Sequence, residues 1–145
     1  MSNDDVEDVS RAVVRRWFEE VWNQRRDTVI EETMADGATC HMDEDALVGA
    51  QDFRQRQYEP MIAAFPDVKV TVDALIADGN EVAVRWTATG NHTGHGLGFA
   101  PTGKPMKMQG MSWIVVHEGK LSTGWQCSNI EKVIASLAPS AAPKS

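Results

Sequence analysis

The sequence has little cysteine, few basic residues and no long apolar run, and each shortage closes off a class of protein. Two cysteines, Cys40 and Cys127, stand far apart among 145 residues. They make no disulfide framework, and in a reducing compartment both are expected as free thiols. No apolar run approaches the roughly 20 residues that cross a bilayer. The opening stretch MSNDDVEDVS is acidic and polar and lacks the basic and apolar segments of a secretory leader. The expected compartment is the cytoplasm. There are 14 Lys and Arg against 21 Asp and Glu, for a net charge of −7. The pairs Arg15-Arg16 and Arg25-Arg26 sit among acids and read as solvated helix faces. Nucleic acid and anionic membranes, which both require a basic stripe, are excluded as partners. No Gly-rich phosphate loop joins a strand to a helix, and no serine sits in a nucleophile elbow. The run Cys40-His41-Met42-Asp43-Glu44-Asp45 fits neither a zinc nor a calcium spacing and reads as a surface loop. No metal and no cofactor are expected.

What is present is a hydrophobic content of 42%, enough for one domain with its own core. Asp4 and Glu7 have capping-box spacing. Val6, Val9, Val13, Trp17 and Val21 then recur at helical intervals, widened by Val14, Phe18 and Trp22, and predict a helix over Asp4–Asn23. A second short helix is expected over Thr28–Met34, stopping at Asp36-Gly37. A third begins near Gln51 and carries Phe53, Met61, Ile62 and Phe65. Pro60 is expected to kink or split it, and Phe65-Pro66-Asp67 to end it.

From Val68 the period becomes two. Val68, Val70, Val72 and Ile76 alternate with Lys69, Thr71 and Asp73, and Asp78-Gly79-Asn80 signals a hairpin. A return strand over Glu81–Thr89 follows, then a loop rich in Gly and Pro, and strands over Met106–Val116 and Leu121–Asn129 joined at Glu118-Gly119. Ile130–Leu137 reads as a short helix. Helices first and a meander after is an α+β order. A single domain is expected over residues 1–138, with a disordered tail at 139–145.

Strand parity sorts the side chains into faces. One face is predicted to carry Val82, Val84, Trp86 and Ala88, with Met108, Gly110, Ser112 and Ile114 beside them and Thr123, Trp125, Cys127 and Asn129 from the last strand. This apolar, aromatic wall with few polar groups suits a small-molecule site, with Trp86, Met108, Ser112, Trp125 and Cys127 as binding candidates. The plainer reading of Trp86 and Trp125 is that they fill the core. The opposite face mixes Arg85, Thr87, Thr89, Lys107 and Gln109 with Met111 and Trp113. A free sheet face does not expose Trp and Met without reason, and a dimer interface accounts for them. Among the histidines, His92 sits at a strand end in a loop, where an imidazole could transfer protons near neutral pH or simply pin the loop by hydrogen bonds. His95 lies between glycines and is expected to be exposed, and His117 to face solvent. His41 points either into the pocket mouth as an acid/base partner or out of a loop.

Four stretches carry a resemblance: Ala64-Phe65-Pro66-Asp67-Val68; Asp78 through Trp86; Gly90-Asn91-His92-Thr93-Gly94 leading to Pro101-Thr102-Gly103-Lys104; and Glu118-Gly119-Lys120-Leu121 leading to Trp125. In this order they resemble the SnoaL-like polyketide and ester cyclases of the nuclear-transport-factor-2-like superfold. The resemblance implies a cone-shaped α+β barrel, with N-terminal helices packed on a strongly curved antiparallel sheet around an internal pocket. It also implies a homodimer through the outer sheet face and a hydrophobic small-molecule ligand or substrate.

In the cyclases an acidic residue four positions after the last-strand Trp is the general acid/base; here that position is Asn129. The family's pocket His falls on Ser112, and its Gln companion on Gly110. An amide exchanges no proton near neutral pH but can hydrogen-bond a carbonyl. Three readings follow. One is a cofactor-free enzyme that cyclises, isomerises or dehydrates a hydrophobic carbonyl compound, with His92 or His41 moving protons and Asn129 polarising the substrate. Another is a dimer that binds such a ligand without chemistry. The third is a dimeric scaffold.

Overall fold

Ser2 starts the first helix, α1 (Asn3–Arg16): its Oγ accepts from Asp5 N at 3.2 Å. The Asp4–Glu7 box is therefore not the cap. Glu7 is used elsewhere, its Oε2 accepting from Gly79 N at 2.9 Å and so tying α1 to the tip of a hairpin. The computed structural model describes residues 2–42 and 45–139. Asp43, Glu44 and all of the expected tail beyond Pro139 lie outside the described residues. Helix α1 continues into a π-helical segment, Trp17–Asn23, in which the N–H of Gln24 reaches back to Glu19 O. The buried stripe is Ser10, Val13, Val14, Trp17, Phe18, Val21 and Trp22. It is offset from the expected one, leaving Val9 41% exposed. Arg25 is not part of a solvated face. Its guanidinium donates to Pro66 O and Val68 O, each at 2.8 Å, and fixes the end of this helix to the chain entering the sheet.

Helix α2 (Thr28–Thr33) leads directly into β1 (Met34–His41), and β2 (Ala46–Val48) pairs back on it antiparallel. The segment read as a surface loop is thus in part strand. Pro60 does not split the next helix, which runs as α3 (Gly49–Phe53), a π-helical turn Arg54–Tyr58, and α4 (Glu59–Ala64). A proline ring collides with the carbonyl four residues back in a regular helix. The wider turn, in which Glu59 N bonds Arg54 O, falls immediately before Pro60 and opens the helix at that place.

The remaining strands are β3 (Lys69–Asp78), β4 (Glu81–Asn91), β5 (Pro105–His117) and β6 (Lys120–Ser128), followed by α5 (Ile130–Leu137). The architecture is α+β, with helices packed against one six-stranded sheet in the order β2-β1-β6-β5-β4-β3. It departs from the expectation in two respects. The sheet is mixed, because β1 runs parallel to β6, and it does not close, because β2 and β3 are edges. Strands β3 to β6 form the expected antiparallel meander. Glu118 and Gly119, at φ 51° and 75°, make the tight turn between β5 and β6, a conformation that matches the twist of the flanking strands. No helix among the described residues is long and apolar enough to cross a membrane.

Two bulges decide which side chains face the helices. In β3 the register shifts between Val72 and Ala74, so Leu75 and Ala77 turn inward and Ile76 is 71% exposed, against the expected alternation. In β6 the register shifts opposite Val115 and Val116, and the consequences reach the site.

Candidate functional site

Beneath the two long helices lies a partly open cavity of about 110 Å³. Trp17, Phe18 and Trp22 come from the π-helical part of the first helix, and Phe53, Gln57 and Met61 from the helix that runs from α3 to α4. Trp86, Met108 and Ser112 reach it from the inner faces of β4 and β5. An aromatic cluster fixes the roof. Trp17 packs on Phe53 with ring centres 4.9 Å apart, and Trp22 meets Tyr58 edge-on at 5.2 Å. Tyr58 donates to Val21 O at 3.0 Å, which joins the two π-helical segments, and burial pushes its phenol pKa up.

On the floor, Trp86 lies 5% exposed, with Nε1 donating to Ser112 Oγ at 3.1 Å. The ring crosses β5 over Gly110, where an added Cβ would meet Trp86 Cζ2 at 2.3 Å. Cys40 of β1 also borders the cavity, and burial raises its thiol pKa, so it stays neutral and a poor nucleophile. The other polar groups on the wall are Thr39, Thr123 and Gln126. No carboxylate, imidazole or amine lines it among the described residues.

The sequence-predicted residues divide between the two sheet faces. Trp86, Met108 and Ser112 come together at the cavity. The parity expected for the last strand is reversed by the bulge at Ser122. Directly opposed residues of an antiparallel pair share a face, and Trp125 opposes Trp113 while Cys127 opposes Met111. Both are thus on the outer face, where Trp125 is 48% exposed. Trp125 also borders the cavity, next to Thr123, Gly124 and Gln126. Successive residues of a strand cannot all point one way, so part of this wall is main chain, and Gly124 brings the backbone close. Gln126, opposite Ser112, is the β6 side chain on the inner face there.

His41 belongs to the outer face too, stacked on Trp125 at 5.2 Å, rather than to the pocket mouth. Asn129 is exposed beyond the end of β6. Its Oδ1 accepts from Gln109 N at 2.9 Å, and its N donates to Gln109 O, so it extends the ladder between β5 and β6. With Arg85, Met111 and Cys127 it borders a shallow outer groove and not the inner cavity.

His92 is fully buried but also outside the cavity wall. Its Nδ1 receives the Thr102 N–H at 3.2 Å and lies 3.0 Å from Thr102 Oγ1. An Nδ1 that accepts a main-chain N–H places the ring proton on Nε2, and Nε2 is buried with no partner among the described residues. The ring sits between Phe65 and Phe99, 5.6 and 5.2 Å away. His92 thereby fastens the loop between β4 and β5. Gly94 holds the same loop against α4, since a Cβ there would come within 1.8 Å of Ala63 O. His95 and His117 are exposed, as expected. Both cysteines are free thiols.

Gln57 escaped the sequence reading, although a signal was there. Phe53, Gln57 and Met61 stand one helical turn apart, so a polar residue interrupts an apolar stripe.

The SnoaL-like polyketide cyclase family model matches residues 12–136. The chain belongs to that family. Solved structures agree on the fold of this SnoaL-like chain. A protein from Jannaschia sp. CCS1, assigned as a SnoaL-like polyketide cyclase, superposes with a TM-score of 0.83 at 22% identity, over 92% of this chain and 95% of that one. AclR from Streptomyces galilaeus, assigned as a hydroxylase, gives 0.80 at 23%, over 95% and 91%. IdmH from Streptomyces antibioticus, assigned as a polyketide cyclase, gives 0.75 at 24%, over 88% and 97%. None of the curated proteins matches this chain. One fold carries several activity names, so the site and not the fold must select the function.

Proposed function

We propose that this SnoaL-like chain binds a small apolar molecule bearing a carbonyl group in the inner cavity, without proton-transfer chemistry of its own. The observation that supports this is the wall itself: aromatic and aliphatic side chains around a few neutral polar groups, with no ionisable acid or base among the described lining residues except a thiol held neutral by burial. Ser112 Oγ already accepts from Trp86, which leaves its own O–H to donate to a carbonyl oxygen. Ring closure or isomerisation would require a base for a proton next to that carbonyl. The test pairs acetophenone with ethylbenzene in calorimetry and follows deuterium exchange of the acetophenone methyl group by NMR. Acetophenone is expected to bind more tightly, and its exchange to run no faster than in buffer. Equal binding, or none, removes the carbonyl reading, and protein-accelerated exchange removes the non-catalytic one.

A second reading is the cofactor-free enzyme, acting on a hydrophobic carbonyl compound by acid/base catalysis. Family membership and the unpartnered Nε2 of His92 favour it. His92 stands behind Phe65 and Phe99, so this reading requires the loop from His92 to Lys104 to shift. Its signature is accelerated exchange that disappears in His92→Gln. His41 and Asn129 remain candidates under it only through the outer face.

We further propose a homodimer through that outer face, where Met111, Trp113 and Trp125 are 55%, 50% and 48% exposed.

A further inference from the structure

The roof of the cavity is apolar except at one place. Phe53 and Met61 face it from the helix that runs from α3 to α4, and Gln57 stands one turn from each. Leucine or methionine would continue the stripe there and fill the same space. Gln57 instead brings an amide whose Oε1 is buried and has no hydrogen-bond partner among the described residues. Such a group weakens the empty fold. It also sits in the π-helical turn Arg54–Tyr58, a local widening that recurs at functional sites and that falls here immediately before Pro60. A residue that borders the cavity and carries a buried polar atom without a partner, at a cost in stability, is accounted for by a partner that arrives with the ligand.

We infer that Gln57 selects the ligand by accepting a hydrogen bond from a hydroxyl or N–H group carried on an otherwise apolar molecule. The inference rests on the binding reading above and narrows it. Ser112 on the floor answers a carbonyl, and Gln57 on the roof answers a donor. The favoured class is therefore a small apolar hydroxy-carbonyl compound.

The experiment compares 4-hydroxyacetophenone with 4-methoxyacetophenone, which keeps the carbonyl and caps the donor. Both are titrated by calorimetry into the wild-type chain and into Gln57→Leu. The wild-type chain is expected to bind the hydroxy compound about tenfold more tightly, the value of one good hydrogen bond. Gln57→Leu is expected to bind the two equally and to melt at a higher temperature than wild type. Equal binding by the wild-type chain overturns the inference, as does a preference that survives in Gln57→Leu, which would trace it to shape or to another group. A lower melting temperature in the variant also overturns it, because the amide would then be stabilising the empty fold. If neither compound binds, the binding reading falls and this inference with it; if both bind equally, only the inference falls.

Discussion

Trp86 crosses β5 at a position of the inner face that carries no side chain. The family resemblance puts a glutamine at that position, and here the indole fills the space a side chain at Gly110 would take. A side chain at Gly110 and the indole floor therefore exclude each other. Gly110→Ala tests it. The new Cβ would meet the ring at 2.3 Å and the main-chain oxygen of Cys127 at 2.8 Å. The ring can swing, but the oxygen belongs to the β6 backbone and cannot move cheaply. The expected cost is about 2–3 kcal/mol by urea unfolding, as for other overpacked cores, with a changed Trp fluorescence maximum. A cost below about 0.5 kcal/mol, the range of neutral surface substitutions, would mean the strand slides and the contact is soft. At this scale Trp86, Met108 and Ser112 were legible from alternation alone. Cys127 and Asn129 were not, because one extra residue at Ser122 turns everything after it to the other face; Trp125 is turned outward with them but still borders the cavity. A bulge of that kind has no reliable local mark, as Ser122 is polar in either setting.

Elements were legible where the signal is local and not where it comes from a distant partner. The helices, the Gly79 turn and the turn at Glu118-Gly119 follow from periodicity and turn chemistry. Strands β1 and β2 do not: Ala38, Cys40 and Met42 alternate but are small or soft residues beside Gly37, Thr39 and His41, and β1 is fixed as strand by a parallel pairing with β6 some eighty positions away. Pro60 misled in the opposite direction, because a π-helical turn absorbs it. A further joint between elements is Asp67. Its Oδ1 accepts from Asn91 N at 2.8 Å and its Oδ2 from Asn91 Nδ2 at 2.7 Å, binding the chain after α4 to the end of β4. These bonds, the main-chain one first, hold its carboxyl below the usual 3.8. A depressed native value means that the stabilisation is present in full above the unfolded-state pKa. It is lost as the pH falls from there through the native value. Asp67 is exposed, so solvent screening keeps the effect small, below about 1 kcal/mol. Asp67→Asn is expected to cost that amount at pH 7 and to flatten the fall in stability below pH 4. Parallel acid unfolding curves for the two proteins would show that the joint carries nothing.

For the whole molecule, the change of period at Pro66 and the four family stretches were enough to give the α+β class and the cavity under the helices. Closure and strand direction were not readable, since both depend on where β1 docks. The sheet that results has one face covered by helices and another that is open to solvent while bearing Met111, Trp113 and Trp125. Trp113 opposes Trp125 across β5 and β6, and His41 stacks on Trp125, so the apolar groups form one continuous stripe. Soluble monomers rarely leave a patch of this kind bare. Arg85, directly opposite Met111 on β4, gives the stripe a polar border suited to a symmetric contact. A second copy covering it would bury both tryptophans. Trp113→Glu places a charge at the centre of that contact, beside Glu81, to which Trp113 Nε1 now donates at 2.7 Å. Sedimentation velocity at micromolar concentration is expected to give a dimer for the wild-type chain and a monomer for the variant. Met111→Lys, which leaves the Trp113–Glu81 bond intact, is expected to behave in the same way and separates loss of pairing from loss of folding. A wild-type chain that sediments as a monomer would leave the stripe unexplained by self-association and would end the proposal of a homodimer through this face.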